Sequence, residues 1–162
     1  MKPQQEATQA VDFKHLVVTS DVFEDGASIP ERFTCDGKNI NPPLDIEHIP
    51  QNALTLAVVM EDPDVPLGNW VHWVAWNIPV THHIKENCAA GVAGTNSYVK
   101  TGYFGPCPPY GTHHYTFKVY ALNNVLHLPA GSNKIHLEKE MGAYIAGYGE
   151  ITGVYKSKIP HS

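Results

Sequence analysis

The chain has 162 residues, 43% of them hydrophobic and 17% charged, and its net charge of −5 comes from 11 Lys+Arg against 16 Asp+Glu. That length suits a single globular domain able to bury a core without staples. A sole arginine, Arg32, and the lack of any basic run argue against nucleic acid or an anionic membrane surface as partner.

Residues 1–12 read as a loose polar tail and residues 13–162 as one domain. The N-terminal stretch lacks the apolar core of a signal peptide, and no span is long enough to cross a membrane, so the expected location is cytoplasmic. His15 to Ser20 reads as a first strand. Residues 24–50 are rich in turn chemistry, with Ile29 and Phe33 suggesting short strand fragments. Ala53 to Met60 is the strongest apolar run; it is short, partly β-branched and closed by Asp62-Pro63, which marks a central strand.

Trp70 to Pro79 is the next strand. Its alternation places Trp70, His72, Val74 and Trp76 on one face and Val71, Trp73, Ala75 and Asn77 on the other. Residues 80–112 are irregular and glycine-marked. His113 to Leu122 is a third clear strand, with His113, Tyr115, Phe117, Val119 and Ala121 on one face. One helix is expected over 132–146: Ser132 or Asn133 caps it, Leu137, Met141, Tyr144, Ile145 and Tyr148 form its buried stripe, and Gly147 stops it. Thr152 to Lys156 is a final strand. The sum is a mainly β sandwich with one or two small peripheral helices.

Three cysteines, Cys35, Cys88 and Cys107, make no disulfide framework; one pair could form with an odd cysteine left over, and whether Cys35 and Cys107 pair stays open. They also lack the CxxC spacing of a zinc site.

Two stretches carry chemistry. Each begins as a proline-stiffened loop and runs into a strand: Asp62-Pro63-Asp64-Val65-Pro66-Leu67-Gly68-Asn69-Trp70-Val71-His72-Trp73, and Gly105-Pro106-Cys107-Pro108-Pro109-Tyr110-Gly111-Thr112-His113-His114-Tyr115. Pro63 keeps Asp62 out of helical geometry and pre-positions its carboxylate. Taken alone, Asp-Pro-Asp is ordinarily an Asx-turn, and a histidine on an apolar strand is ordinarily a satisfied core residue. Asp62, ten residues before His72, is that histidine's natural partner and would favour its imidazolium. His113 and Tyr115 share a strand face beside Pro108, Pro109 and Gly111. If the junctions meet, Asp62, His72, His113 and Tyr115 converge on one polar pocket suited to an anion. Two histidines and two aspartates could ligate a metal on paper, but no HExxH or similar spacing occurs, and no metal or cofactor is expected. A hydrolase would need a nucleophile, and no GxSxG is present. His82, His83, His127, His136 and His161 read as surface or loop residues.

At these residues the chain resembles the phosphatidylethanolamine-binding protein family, also called the Raf kinase inhibitor protein family, and most closely its short bacterial and archaeal YbhB/YbcL-type branch. Asp62-Pro63-Asp64-Val65-Pro66 is similar to the family's DPDxP block, and Gly105-Pro106-Cys107-Pro108-Pro109 with His113-His114-Tyr115 to its GPxPP…HxY block. Phe33 to Gly37, Asn41 to Leu44 and Asn77-Ile78-Pro79 also fit. The resemblance covers about residues 15 to 156.

It implies a two-sheet, mostly antiparallel sandwich and a pocket for phosphate, a carboxylate or a phosphoethanolamine head group. The ligand-binding residues would be Asp62, Pro66, Trp70, His72, Pro108, His113 and Tyr115, with Pro63, Asp64, Gly105, Pro109 and Gly111 shaping the loops. It further implies a non-enzymatic protein, as members inhibit kinases or serine proteases or act as signalling scaffolds, and a homodimer, as the short branch is often dimeric. The alternatives are an inhibitor that acts through a loop while its pocket is only structural, and a small Asp/His hydrolase. The C-terminal helix that closes the pocket in long eukaryotic members is not expected here, so their Raf contacts are not carried over. Trp73 stands where phenylalanine is common, and Gly111-Thr112-His113 is a tighter loop.

Overall fold

The computed structural model describes residues 14–66 and 68–158; the expected tail at 1–12 and His161 lie outside them. Two sheets face each other. The larger holds β1 (Lys14–His15), β4 (Thr55–Asp62), β5 (Trp70–Pro79), β7 (Val92–Ala93), β8 (Thr112–Leu122) and β9 (Ile145–Lys156) in the order β1-β9-β8-β4-β5-β7. The smaller is β2 (Val17–Thr19), β3 (Leu44–Glu47) and β6 (His83–Ile84) in the order β2-β3-β6. Pairing is antiparallel except between β1 and β9.

β4 is the axis. All eight of its residues are buried, because β5 and β8 flank it and both its faces are covered. A strand buried on both sides reads as a continuous apolar run, which is how it stood out in the sequence. On one face Leu56, Val58 and Met60 meet Phe117, Val119, Leu44 and Ile46 between the sheets. On the other, Ala57 and Val59 pack with Val74, Trp76, Leu122 and Leu137 under an α-helix, α1 (Lys134–Met141).

Four expectations are corrected. The first strand is broken at Leu16, where the chain leaves the large sheet for the small one: Lys14 and His15 pair with β9, and Val17 to Thr19 with β3. Phe33 lies in a 3-10 turn (Glu31–Phe33), not a strand, and the turn-rich stretch conceals β3. The helix ends at Met141, while Tyr144, Ile145 and Tyr148 precede or enter β9. Its start is as expected, with Asn133 and His136 forming a capping box. Gly147 is no helix stop. It belongs to a period-2 set in which a Cβ on Gly149 would come 2.3 Å from the Leu16 carbonyl oxygen, and one on Gly153 2.5 Å from Ile29. The glycines are there to admit close neighbours.

The fourth correction concerns β5. Val71 pairs with Glu61 and Trp73 with Met60, so His72 is the extra residue of a β-bulge. Trp73 and Ala75 therefore join the inter-sheet core, while Val71, Val74 and Trp76 pack on the other face. A second bulge, with Asn77 at φ 53°, returns Ile78 to the inter-sheet face.

Glu61, next to the first bulge, is buried between Lys118 and Lys134, the latter at 2.5 Å. Burial alone would raise its pKa, but hydrogen bonds from both lysines outweigh this and hold it below the usual carboxylate range. The cluster ties α1 to the sheet beside the pocket-forming end of β4. Removing both cations (Lys118→Met with Lys134→Met) leaves a buried carboxylate unpaired and is expected to cost about 3 kcal/mol or more in urea unfolding; a change below about 0.5 kcal/mol would show that the cluster contributes nothing.

Candidate functional site

β4 ends its pairing with β8 at Glu61–Thr116, so Asp62 projects past the last rung while β8 continues toward its own start at Thr112. That offset brings Asp62 to His113: Oδ2 accepts the Nδ1–H of His113 at 2.6 Å. The other oxygen, Oδ1, accepts the backbone N–H of Asp64 at 2.7 Å. The Asx-turn and the histidine contact are thus one arrangement. Asp64 repeats it one step outward, accepting both the backbone N–H and the Nδ1–H of His114, at 2.8 and 2.7 Å. Two Asp–His pairs fasten the β4–β5 loop to the head of β8.

His72 is held differently from the expectation. Its Nδ1 lies 2.6 Å from the Phe104 carbonyl oxygen, and the Phe104 N–H returns a bond to the His72 carbonyl. Asp62 therefore orients His113 and not His72: the bulge turns His72 toward the loop around residue 104, whose backbone takes its Nδ1. His72 as a whole is only 2% exposed. Its pKa is lowered, chiefly by burial, against the opposing pull of the Phe104 carbonyl and the charge of Asp62. The expected imidazolium is thereby disfavoured. Tyr98 and Tyr115 stand edge-on to the ring at centroid distances of 5.6 and 5.3 Å.

Burial, with the Asp62 charge, pushes the Tyr115 hydroxyl well above its ordinary pKa, so it keeps its proton. Tyr98 is raised by burial too, and Trp70 stands edge-on to its ring at a centroid distance of 5.4 Å.

These side chains bound a cavity of about 410 Å³ lined by Asp62, Val65, Pro66, Trp70, His72, Tyr98, Cys107, Pro108, Pro109, His113 and Tyr115. All seven residues expected to bind ligand are in that lining. Of the loop-shaping set, Pro109 lines the cavity itself. Gly105 packs where a Cβ would lie 2.1 Å from the Phe33 carbonyl oxygen, and its N–H donates to Asn39 at 2.7 Å. Gly111 supplies the left-handed turn, φ 75°, before β8. Pro63 and Asp64 fix the opposite loop from outside the lining.

Val65, Tyr98 and Cys107 were missed. Tyr98 sits in a tight loop where Asn96 Oδ1 accepts the N–H groups of Tyr98 and Lys100; no periodicity announces such a residue. The cysteine pairing left open is settled: Cys35 and Cys107 form a disulfide, anchoring the rim loop to the turn after Phe33. Cys88 is a free thiol. Among the described residues no group of three or more His, Cys, Asp or Glu could hold a metal ion, and no helix is long and apolar enough to cross a membrane.

Because the folded state holds His72 below its unfolded value of about 6.5, its contribution to stability is complete above that pH and is lost as pH falls toward the folded-state value. His72→Asn, whose amide can still donate to Phe104, should flatten the decline in unfolding free energy between about pH 7 and 5. Parallel curves for the variant and the parent would contradict a neutral His72.

Comparison with known proteins points one way. The phosphatidylethanolamine-binding protein family profile matches residues 19–156. The UPF0098 protein of Pyrococcus abyssi is 42% identical over 156 residues, covering 90% of this chain and 88% of its own. That of Aquifex aeolicus is 38% identical over 151 residues, 87% of this chain and 88% of its own. Among solved structures, a phosphatidylethanolamine-binding protein homologue from Chlamydia trachomatis superposes with a TM-score of 0.85 at 35% identity, over 90% of this chain and 99% of that one. Escherichia coli YbcL, described as a member of the mammalian PEBP family, gives 0.79 at 30% identity, over 89% and 99%.

Proposed function

The chain belongs to the phosphatidylethanolamine-binding protein family, and from that premise we propose that it is a non-enzymatic binding protein whose cavity takes a small anion: phosphate, a phosphoryl head group such as phosphoethanolamine, or a carboxylate. The observation that carries this reading is the meeting of His113, fixed on Asp62, with His72 and Tyr115 around one cavity. With Nδ1 committed to Asp62, His113 has its Nε2 left for a ligand. Tyr115 adds a hydroxyl, and Trp70 with the prolines forms an apolar rim for whatever the anion is attached to. Binding is favoured over covalent catalysis because Cys107, the lining's one sulfur nucleophile, is spent in the disulfide.

A charge-assisted hydrogen bond of this kind contributes about 1.5–3 kcal/mol. His113→Ala and Asp62→Asn should therefore weaken inorganic phosphate at least about tenfold by calorimetry, with unchanged circular dichroism. No heat from phosphate, phosphoethanolamine or acetate with the parent protein at millimolar ligand would sink the reading.

One observation favours a second reading, a serine-protease or kinase inhibitor acting through a loop. Tyr110 is 77% exposed at the tip of the disulfide-anchored, proline-stiffened rim. Inhibition of a chymotrypsin-like protease that is lost in Tyr110→Ala but kept in His113→Ala would support it; no inhibition across a protease and kinase panel would remove it.

A further inference from the structure

We propose that the Cys35–Cys107 bond is a thiol-exchange site that latches one wall of the cavity: a dithiol reductant opens it, frees the rim and weakens the grip on a ligand. The ligand consequence rests on the anion-pocket reading; the latch itself does not.

The first observation is what each cysteine stands on. Cys35 stands on a fixed platform. Phe33 and Thr34 before it are buried. Thr34 Oγ1 donates to the Glu31 carbonyl at 2.8 Å and accepts the Asp36 N–H at 3.1 Å. The Asp36 carboxylate accepts the Tyr155 hydroxyl of β9 at 2.6 Å. Cys107, 72 residues further on, belongs to the rim loop and lines the cavity with Pro108 and Pro109. The bond therefore ties a light element to a heavy one.

The second is where the loop is otherwise held. Before Cys107 it is bonded to the same platform. The Tyr103 hydroxyl donates to the Phe33 carbonyl at 2.7 Å, the Gly105 N–H to Asn39 at 2.7 Å, and the Cys35 N–H to the Pro106 carbonyl at 3.1 Å. After the loop, strand pairing resumes at Thr112, opposite Lys156. Between these anchors Pro108 and Pro109 have no N–H to donate. The Pro108 carbonyl accepts the Ser157 hydroxyl at 3.0 Å, just past the end of β9. Tyr110 is largely exposed, and Gly111 turns the chain. Residues 107–111 thus owe their position mainly to the covalent bond, while the segments on either side keep theirs without it. Opening the bond loosens the wall and leaves the sandwich intact.

The third is access. Both cysteines are half-buried, and Cys107 borders the cavity, so a thiolate can reach the bond. A thiolate of the reductant attacks one sulfur, and the Cys35–Cys107 bond breaks. The other sulfur leaves as a thiolate and takes a proton. The second thiol of the reductant then displaces the first, closing the reductant's own disulfide and leaving two cysteine thiols. Two electrons and two protons pass to the chain. A wall that must be ordered again on binding costs affinity, so the oxidised form is the tighter binder.

The test compares the full chain, oxidised and after millimolar dithiothreitol, with Cys35→Ser/Cys107→Ser as the permanently open form. Nitrogen-15 relaxation gives order parameters for the Cys107, Tyr110 and Gly111 amides. These should fall from about 0.85 to below about 0.6 on reduction, with β4 unchanged. Inorganic phosphate should bind the reduced chain at least about tenfold more weakly by calorimetry. A bond that survives dithiothreitol in the folded chain is a structural staple only, and overturns the proposal. So do unchanged order parameters, or a loosened rim with phosphate affinity within about twofold of the oxidised form. If phosphate binds neither form, the anion reading falls, and the order parameters alone decide the latch.

Discussion

The hydrogen bond from His113 to Asp62 is the constraint on which the rest of the site depends. It exists because β4 outruns its pairing with β8 at one end, leaving a buried carboxylate beside the first residues of β8. A carboxylate so placed must be satisfied, and Asp62 is satisfied from both sides, by its own loop and by a strand 51 residues away in sequence. The bond closes the gap between the two proline-led loops. It also leaves neither oxygen of Asp62 bonded to His72, whose ring proton goes to the Phe104 carbonyl instead. One contact thus sets the position of one imidazole and leaves the other to the backbone.

The bulge at His72 is the second element of the design. A regular β5 would put His72 on the face of Val74 and Trp76, beneath the helix. The extra residue lets His72 and Trp73 both serve the inter-sheet side, one in the cavity wall and one in the core. The cost of the bulge is met locally: Glu61, its partner on β4, is locked between two lysines, and the Phe104 segment bonds His72 through both backbone and ring. The disulfide and the Gly105–Asn39 bond hold the remaining wall. The cavity is therefore a rigid enclosure of aromatic rings and prolines with few polar atoms, the usual composition of a small-molecule site.

What could be read in advance follows from these physics. β4, β5 and β8 were legible because burial writes a pattern directly into the chain: a continuous apolar run for a strand covered on both faces, and alternation for β8. The convergence of the two junctions was legible because prolines and glycines restrict the backbone locally. The partner of His72 was not. A bulge shifts facing by one residue without any change of composition, and the Phe104 carbonyl is a backbone atom that no side-chain pattern reveals. Tyr98 was hidden in an irregular loop for the same reason. β9 was mistaken in part for helix because Tyr144, Ile145 and Tyr148 recur at helical spacing, while the alternation that decides the matter runs through glycines, whose burial leaves no apolar signal. Whether Cys35 and Cys107 pair could not be settled by spacing; the disulfide follows from the rim loop crossing the turn after Phe33.

The central claim is that the two junctions form one anion pocket organised by Asp62 and His113. It is tested most directly by following the histidine ring resonances in nitrogen-15-edited spectra while inorganic phosphate is added. The account requires the signals of His113 and His72 to move together, saturably and with one affinity, while the exposed His114, tied to Asp64 outside the cavity, stays in place. Phosphate that leaves both signals unmoved, or that shifts His114 as much as His113, would contradict it.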